Sequence, residues 1–350
     1  MGFYELAEKA LALERSGKKL IRLNVGDTNL PTPPAAIETA AECMRTIKSS
    51  YGSSAGLQAL REKIAKRENC GVENVVVGSG SKQILYALMS VLCKAGDTLA
   101  LPTPYWPAYP LAAKQLGIRV HEMATTLEGG WEFGAVPKAN MLIICNPLNP
   151  TSTIYPEKKV REAIEAAAKG GTHVILDEAY RGLAFSPMMG CDDTPAIRVR
   201  SFSKEFNMEG WRLGYAVAPA DIVKKMVSFN QITTTCVPEF VQRAGIACLE
   251  DEKNIVEQNR SAWKTRSDAM AGAMKKAGFR FAQPQAGIYI FATHAELTDA
   301  DSYALRLLDN GVAVSPGSGF GPHNAFFRVC VNQSEEKLKE AAEKMADALR

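Results

Sequence analysis

Two kinds of apolar stretch alternate along this chain. Short unbroken runs, VVV at 75–77, MLIIC at 141–145 and HVIL at 173–176, carry almost no polar face and read as strands covered on both sides, the pattern of a parallel sheet. Between them lie longer segments whose apolar residues recur three and four apart. Leu57, Leu60 and Ile64 share one face while Arg61, Lys63, Lys66 and Arg67 occupy the others, and Ile84, Leu85, Leu88 and Leu92 make a second such face. Further helices are expected at 37–47, at 157–169 before the Gly170-Gly171 stop, at 221–232, up to about Glu250, and from Asn254 to Ala277. The last block, from Phe279 onward, reads as a compact α+β unit with a terminal helix capped by Ser334.

Composition narrows the class. A chain of 350 residues with 46% hydrophobic content can bury a large core, and its length suits two domains or one with a satellite. Its 41 basic and 38 acidic residues are mixed, so no electrostatic footprint for nucleic acid is expected. The first residues form an amphipathic helix pattern with glutamates rather than a secretory or transit signal, and no apolar run is long enough to cross a membrane. Eight scattered cysteines without a CxxC pair read as free thiols in a reducing cytoplasm, and four dispersed histidines without HExxH leave no metal constellation.

Candidate chemistry concentrates in SFSKEFNMEGWRLGY, residues 201–215. Lys204 stands beside Ser201 and Ser203, and Arg212 lies between Gly210 and Gly214, a grouping that suggests a buried reactive amine next to an anion site. An amine becomes a nucleophile for carbonyls once burial or a neighbouring cation lowers its pKa. Upstream, Val75–Val77 runs into Gly78, Ser79, Gly80 and Ser81 ahead of a helix, which presents unpaired N–H groups and a positive dipole end to an anion. Neither a dinucleotide fingerprint, which needs glycine where Gln83 stands, nor a P-loop fits that turn. Asp177 ends a buried strand, a place that serves ligands, helix caps or metals alike. Arg328 interrupts the apolar strand FFRVCV, where an unpaired guanidinium would be costly.

The 201–214 stretch resembles the lysine signature of class I and II aminotransferases, the fold type I pyridoxal-phosphate enzymes, and further motifs follow in that family's order from about Leu23 to Val331. The resemblance implies an α/β fold with a mainly parallel seven-stranded sheet in a large domain, 36–252, and a small α+β domain built from 1–35 and 253–350. It implies a Schiff base between Lys204 and pyridoxal 5'-phosphate, with Asp177 on the pyridine nitrogen, Tyr180 and Asn149 on the phenolic oxygen, and Trp106 stacked on the ring. Tyr105 and Tyr109 are neighbouring aromatics of the same kind. The phosphate would meet Gly80, Ser81, Lys82, Ser201 and Arg212, and also Tyr51 contributed across a homodimer interface. Gly26, Asn149 and Arg328 would meet the substrate, Arg328 through its α-carboxylate.

The implied activity is amino transfer between an L-amino acid and a 2-oxo acid. Two features depart from the family pattern: Ser152 stands where glycine usually follows NPT, and GDTNLPTP replaces the commoner GEPDFPTP type. They keep open a lyase, decarboxylase or amino-acid oxidase on the same fold. A catalytically silent binding domain is opposed by the retained Lys204, Asp177, Asn149, Tyr180 and Arg328, and a NAD-dependent dehydrogenase by the failed glycine fingerprint.

Overall fold

A computed structural model describes residues 3–48, 50–188 and 190–349. The chain opens with helix α1 (Phe3–Arg15) and a two-residue strand β1 (Ile21–Arg22), then runs extended to α2 (Pro34–Thr46). Proline suits a helix's first turn, where its missing N–H would have no partner, so α2 begins at Pro34, ahead of the apolar periodicity that starts at Ile37. Helix α3 (Gln58–Glu68) ends on Asn69 in the left-handed conformation and leads to β2 (Val75–Gly78), α4 (Ser81–Leu92), β3 (Thr98–Pro102), α5 (Ala108–Gln115) and β4 (Arg119–Met123). After these come β5 (Met141–Cys145), α6 (Glu157–Lys169), β6 (His173–Asp177), β7 (Ile197–Ser201), the single-turn α7 (Phe202–Glu205) and β8 (Gly214–Val217).

These strands form one seven-stranded sheet in the order β2-β8-β7-β6-β5-β3-β4. Only β8 is reversed, pairing antiparallel with both β2 and β7, so β2, β3, β5, β6 and β7 all end at the same edge. That edge is where open α/β sheets place their ligands. The register sets the details there: Cys145 lies beside Asp177, and Gly214 lies between Gly78 and Ser201. Strands β5 and β8 are buried along their whole length, as helices on both faces require.

Strand β7 is equally buried although it reads IRVRS, and the sequence pattern alone does not announce it. Its two arginines are neutralised inside the protein. Arg198 pairs with Glu68 at 2.5 Å and Asp192 at 2.7 Å, and Arg200 pairs with Glu178 at 2.9 Å and Glu68 at 3.4 Å.

Helices α8 (Ala220–Ile232) and α9 (Glu239–Glu250) complete the layers around this sheet. The 25-residue α10 (Glu252–Lys276) follows at once, starting two residues before its expected Asn254, and carries the chain away to a second core. There β9 (Arg280–Phe281), β10 (Tyr289–Thr293), β12 (Ser315–Pro316) and β13 (Phe327–Cys330) form an antiparallel sheet, while β11 (Val312–Ala313) pairs parallel with β1. Helices α11 (Ala300–Asp309) and α12 (Glu335–Asp347) cover it, and Ser334 caps α12 as expected by accepting the Lys337 N–H. Leu23, Ile290, Tyr303, Val329 and Leu338 are among the side chains this second core buries.

Candidate active site

At the common strand edge a cavity of about 470 Å³ is lined by Asp27, Ser81, Lys82, Trp106, Tyr109, Cys145, Asn149, Asp177, Ala179, Tyr180, Ser201, Ser203, Lys204, Glu209 and Arg212. Eight of the residues singled out in the sequence therefore meet in one space: Ser81, Lys82, Trp106, Asn149, Asp177, Tyr180, Ser201 and Lys204, with Arg212 as a ninth. They come from six separate loops and strand ends, which explains why their spacing in the chain carries no simple period.

Lys204 sits on the single turn of α7, begun by Ser201, whose side chain accepts the Ser203 N–H. Its Nζ donates to the Gly26 carbonyl at 2.5 Å and lies 3.6 Å from Glu209 Oε1. Burial lowers the pKa of the amine, and the nearby Glu209 and Asp27 carboxylates work against that shift. Gly26 is required for a steric reason. A Cβ there would fall 1.8 Å from the Tyr289 hydroxyl, so the missing side chain makes room for Tyr289.

Asp177 is buried at the end of β6, accepting from Tyr109 Oη at 2.6 Å and from the Ala179 N–H at 3.1 Å. Burial raises its carboxyl to about 6 in spite of those donors. Tyr109 is thus the member of the aromatic group that touches the carboxylate. Trp106 lines the cavity wall with its ring edge-on to Tyr109 and Lys82 Nζ 5.1 Å from its centroid, while Tyr105 turns to Glu122 at 2.5 Å. Glu178, next to Asp177, faces away into the buried ion pairs with Arg181 and Arg200.

Tyr180 Oη stands 3.1 Å from Tyr289 Oη, and burial pushes the Tyr180 phenol far above its usual range. Arg328 reaches the same corner from β13. Its Nη1 donates to Asn149 Oδ1 at 3.1 Å, its Nη2 to the Asn24 carbonyl at 2.9 Å, and its guanidinium lies 4.2 Å from the Tyr289 ring centroid and 4.9 Å from that of Phe320. Tyr289 and Asn24 were not readable as site residues, because one is an aromatic in a core strand and the other a polar residue beside a short one.

The anion pocket is shaped by glycines. Gly80 has φ +80, and a Cβ on it would meet Arg212 Nη2 at 2.4 Å; a Cβ on Gly214 would meet the Ser81 nitrogen at 2.7 Å. Their absence brings the N-terminus of α4, the Arg212 guanidinium and the Ser201 hydroxyl around one small space, and Lys82 adds an amine whose pKa is lowered by burial, then by Arg212 and Lys204. This donor set fits a phosphate, and the amine, carboxyl and flanking tryptophan fit the aldehyde, nitrogen and ring of pyridoxal phosphate. Tyr51 is outside this assembly, 89% exposed on the outer surface.

Ser152, the departure from the family pattern, has φ +58, the left-handed conformation in which glycine is at ease. The serine has its own bonds there: its Oγ accepts the Tyr289 N–H at 3.1 Å and its carbonyl accepts the N–H groups of Gln285 and Ala286. It thereby fastens the loop after β5 to the start of β10. Among the described residues no group of three or more His, Cys, Asp or Glu is placed to hold a metal, no helix is long and apolar enough to cross a membrane, and the eight cysteines are free thiols.

The comparisons agree with this geometry. The family described as aminotransferase class I and II matches residues 18–345. An aspartate aminotransferase of Thermococcus kodakarensis is 34% identical over 94% of this chain and 89% of its own length. An aspartate/prephenate aminotransferase of Thermus thermophilus is 30% identical over 97% of this chain and 94% of its own. Among solved structures, the aspartate aminotransferase of Thermus thermophilus with maleate superposes with a TM-score of 0.94 at 28% identity, covering 99% of this chain and 96% of that one. A lysine, a buried carboxyl and an anion cradle at one sheet edge, with a family match over nearly the whole length, place the chain among the class I and II aminotransferases, pyridoxal-phosphate-dependent enzymes of fold type I.

Proposed function

We propose that this aminotransferase takes its amino group from an acidic L-amino acid of the aspartate type and passes it to a 2-oxo acid, with Lys204 as the amine that holds the cofactor and then carries the α-proton. The aspartate and aspartate/prephenate aminotransferases among its relatives support that donor class. Pyridoxal phosphate, when bound, supplies the electron sink for the pair left behind when the α-proton departs.

The chain's own residues do the rest. Arg328, packed against the rings of Tyr289 and Phe320, offers its two terminal nitrogens to the substrate α-carboxylate and so fixes the Cα–H bond relative to Lys204. Lys204 Nζ, its pKa lowered by burial, is placed to take that proton as base and to give it back as acid. Asp177 is the anion for the cofactor's ring nitrogen, and Tyr109 orients it. Asn149 and Tyr180 hold the phenolic oxygen, Trp106 closes the ring's face, and Gly80, Ser81, Lys82, Ser201 and Arg212 hold the phosphate with the partner's Tyr51. Gly26, whose carbonyl meets Lys204 Nζ, lets the backbone approach the substrate carboxylate, on a small domain of 1–35 and 253–350 beside a large one of 36–252. The assembly would be a cytoplasmic homodimer.

The observation that carries this reading is the meeting of Lys204, Asp177, Asn149 and Tyr180 in one cavity, with Arg328 hydrogen-bonded to Asn149. The test is the visible spectrum of the protein with pyridoxal phosphate before and after single amino acids are added. Aspartate should convert the lysine-bound band to the amine form and a 2-oxo acid should restore it. Conversion by another donor alone would overturn the donor class, and a band that no donor converts would overturn these assigned roles. Lys204→Ala should give no lysine-bound band and lower turnover by at least about 10³-fold with the fold intact; normal activity in that variant would remove Lys204 from the mechanism.

A further inference from the structure

Glu209 is a carboxylate in the turn after Lys204 to which the roles above assign nothing. Glu205, which ends α7 directly after Lys204, is directed away, to Arg67 at 2.9 Å and to the Gly182 N–H at 2.8 Å. Glu209 instead points into the cavity: its Oε1 lies 3.6 Å from Lys204 Nζ and accepts the backbone N–H of Thr28. Its own carbonyl accepts from Arg212 Nη1 at 2.6 Å, so the side chain starts from a point fixed by the anion cradle. Thr28 belongs to the extended segment that leaves β1, and two residues earlier Gly26 accepts the Lys204 amine at 2.5 Å. One carboxylate therefore binds both the reactive nitrogen and the strand of chain that roofs it.

We propose that Glu209 is a positioning residue for the reaction, serving as counter-charge to the Lys204 nitrogen and as anchor of residues 26–28 over it. The proposal rests on the Lys204 reading given above. A nitrogen that alternately bears and loses a proton needs a nearby charge that makes the protonated form affordable in a buried site, and a carboxylate at 3.6 Å is that charge. The other groups facing the nitrogen are Asp27 and the Cys330 thiol, with Lys82 and Arg212 on the cradle side. Glu209 forms the ion pair with the Lys204 nitrogen and acts on it more strongly than Asp27 does, so Glu209 is the member of this set whose removal should be felt most.

The test uses Glu209→Gln, which keeps an acceptor for Thr28 and removes the charge, and Glu209→Ala, which removes both. The protonation of the Lys204 nitrogen is followed through the visible band of each pyridoxal-phosphate-loaded protein titrated with pH, without substrate. In the cofactor-free proteins, hydrogen exchange of the Thr28 amide reports the anchor. Both variants should titrate about one unit or more lower than the parent. The Thr28 amide should exchange about tenfold faster in Glu209→Ala and near the parent rate in Glu209→Gln. An unchanged midpoint in Glu209→Gln overturns the counter-charge, and an unchanged Thr28 rate in Glu209→Ala overturns the anchor. If Glu209→Gln does not fold, Glu209→Asp, which draws the charge back by one methylene, must show a smaller downward shift. A parent protein without any visible band would sink the Lys204 reading and the counter-charge together, while the exchange measurement would still decide the anchor.

Discussion

Asp177 illustrates how a single side chain is held against its own preference. Its carboxyl is buried, and its raised pKa of about 6 means the charged form is disfavoured in the cofactor-free protein even with Tyr109 and the Ala179 N–H donating to it. A raised acid pKa contributes stability that is fully present below the unfolded value of 3.8 and is lost as pH climbs through about 6. Cofactor-free Asp177→Asn should therefore be more stable than the parent at pH 8, by up to about 3 kcal/mol, and the gap should close below about pH 4. Denaturant melts at the two pH values check this. The same variant should bind pyridoxal phosphate more weakly, because the ring nitrogen loses its anion. Ser152 shows the opposite arrangement: a residue in a left-handed conformation retained because its hydroxyl and carbonyl fasten three N–H groups of the neighbouring segment.

At the scale of elements, β7 is the strand that hydropathy does not reveal. A run reading IRVRS has charged residues at two of five places and a serine at a third, and its burial is possible only because acidic side chains from α3, from the end of β6 and from α7 converge on it. Those partners are 130 residues away along the chain in the case of Glu68, so no local window contains them. Arg200 is the centre of the group, facing Glu178, Glu68 and Glu205, whose sequence neighbours include Asp177 and Lys204. Arg200→Met should cost about 3–5 kcal/mol, since it leaves buried carboxylates short of a cation. Adding Glu178→Gln should recover part of the loss, and a double-mutant cycle on urea midpoints measures the coupling. By contrast α4, β5 and β6 were legible, because their apolar periodicity is decided within a few neighbouring residues.

For the whole molecule, the homodimer proposed above calls for an exposed apolar contact surface. Large apolar side chains stand exposed on adjoining segments: Tyr51 at 89%, Ile232 at 84% and Met44 at 60%. The loop bearing Tyr51 is tied to the chain after Ile232 through the Gly52 N–H on Cys236 Sγ at 3.3 Å, and to α8 through Asn230 on the Ser54 carbonyl at 2.9 Å. Exposed apolar side chains of this size suit the proposed subunit contact. Light scattering should give twice the chain mass, and Ile232→Glu should weaken the association at least about tenfold. Tyr51→Phe should leave the mass unchanged and weaken pyridoxal phosphate binding, as measured by equilibrium dialysis.

What the sequence determined by itself was the chemistry and its order along the chain. The reactive lysine, the arginine eight residues later, the glycine turn before α4 and the aspartate closing an apolar strand are local statements, each set by neighbours within a few residues. What only the tertiary structure decided is which groups act on them. Tyr109 rather than Tyr105 meets Asp177, Tyr289 fills the space that Gly26 leaves, Glu209 reaches Lys204 and Thr28 together, and Arg200 finds its carboxylates. The reason is physical. Burial and hydrogen bonding depend on what arrives from other strands and loops, and those arrivals are fixed by sheet order and register, which pair residues far apart in the chain.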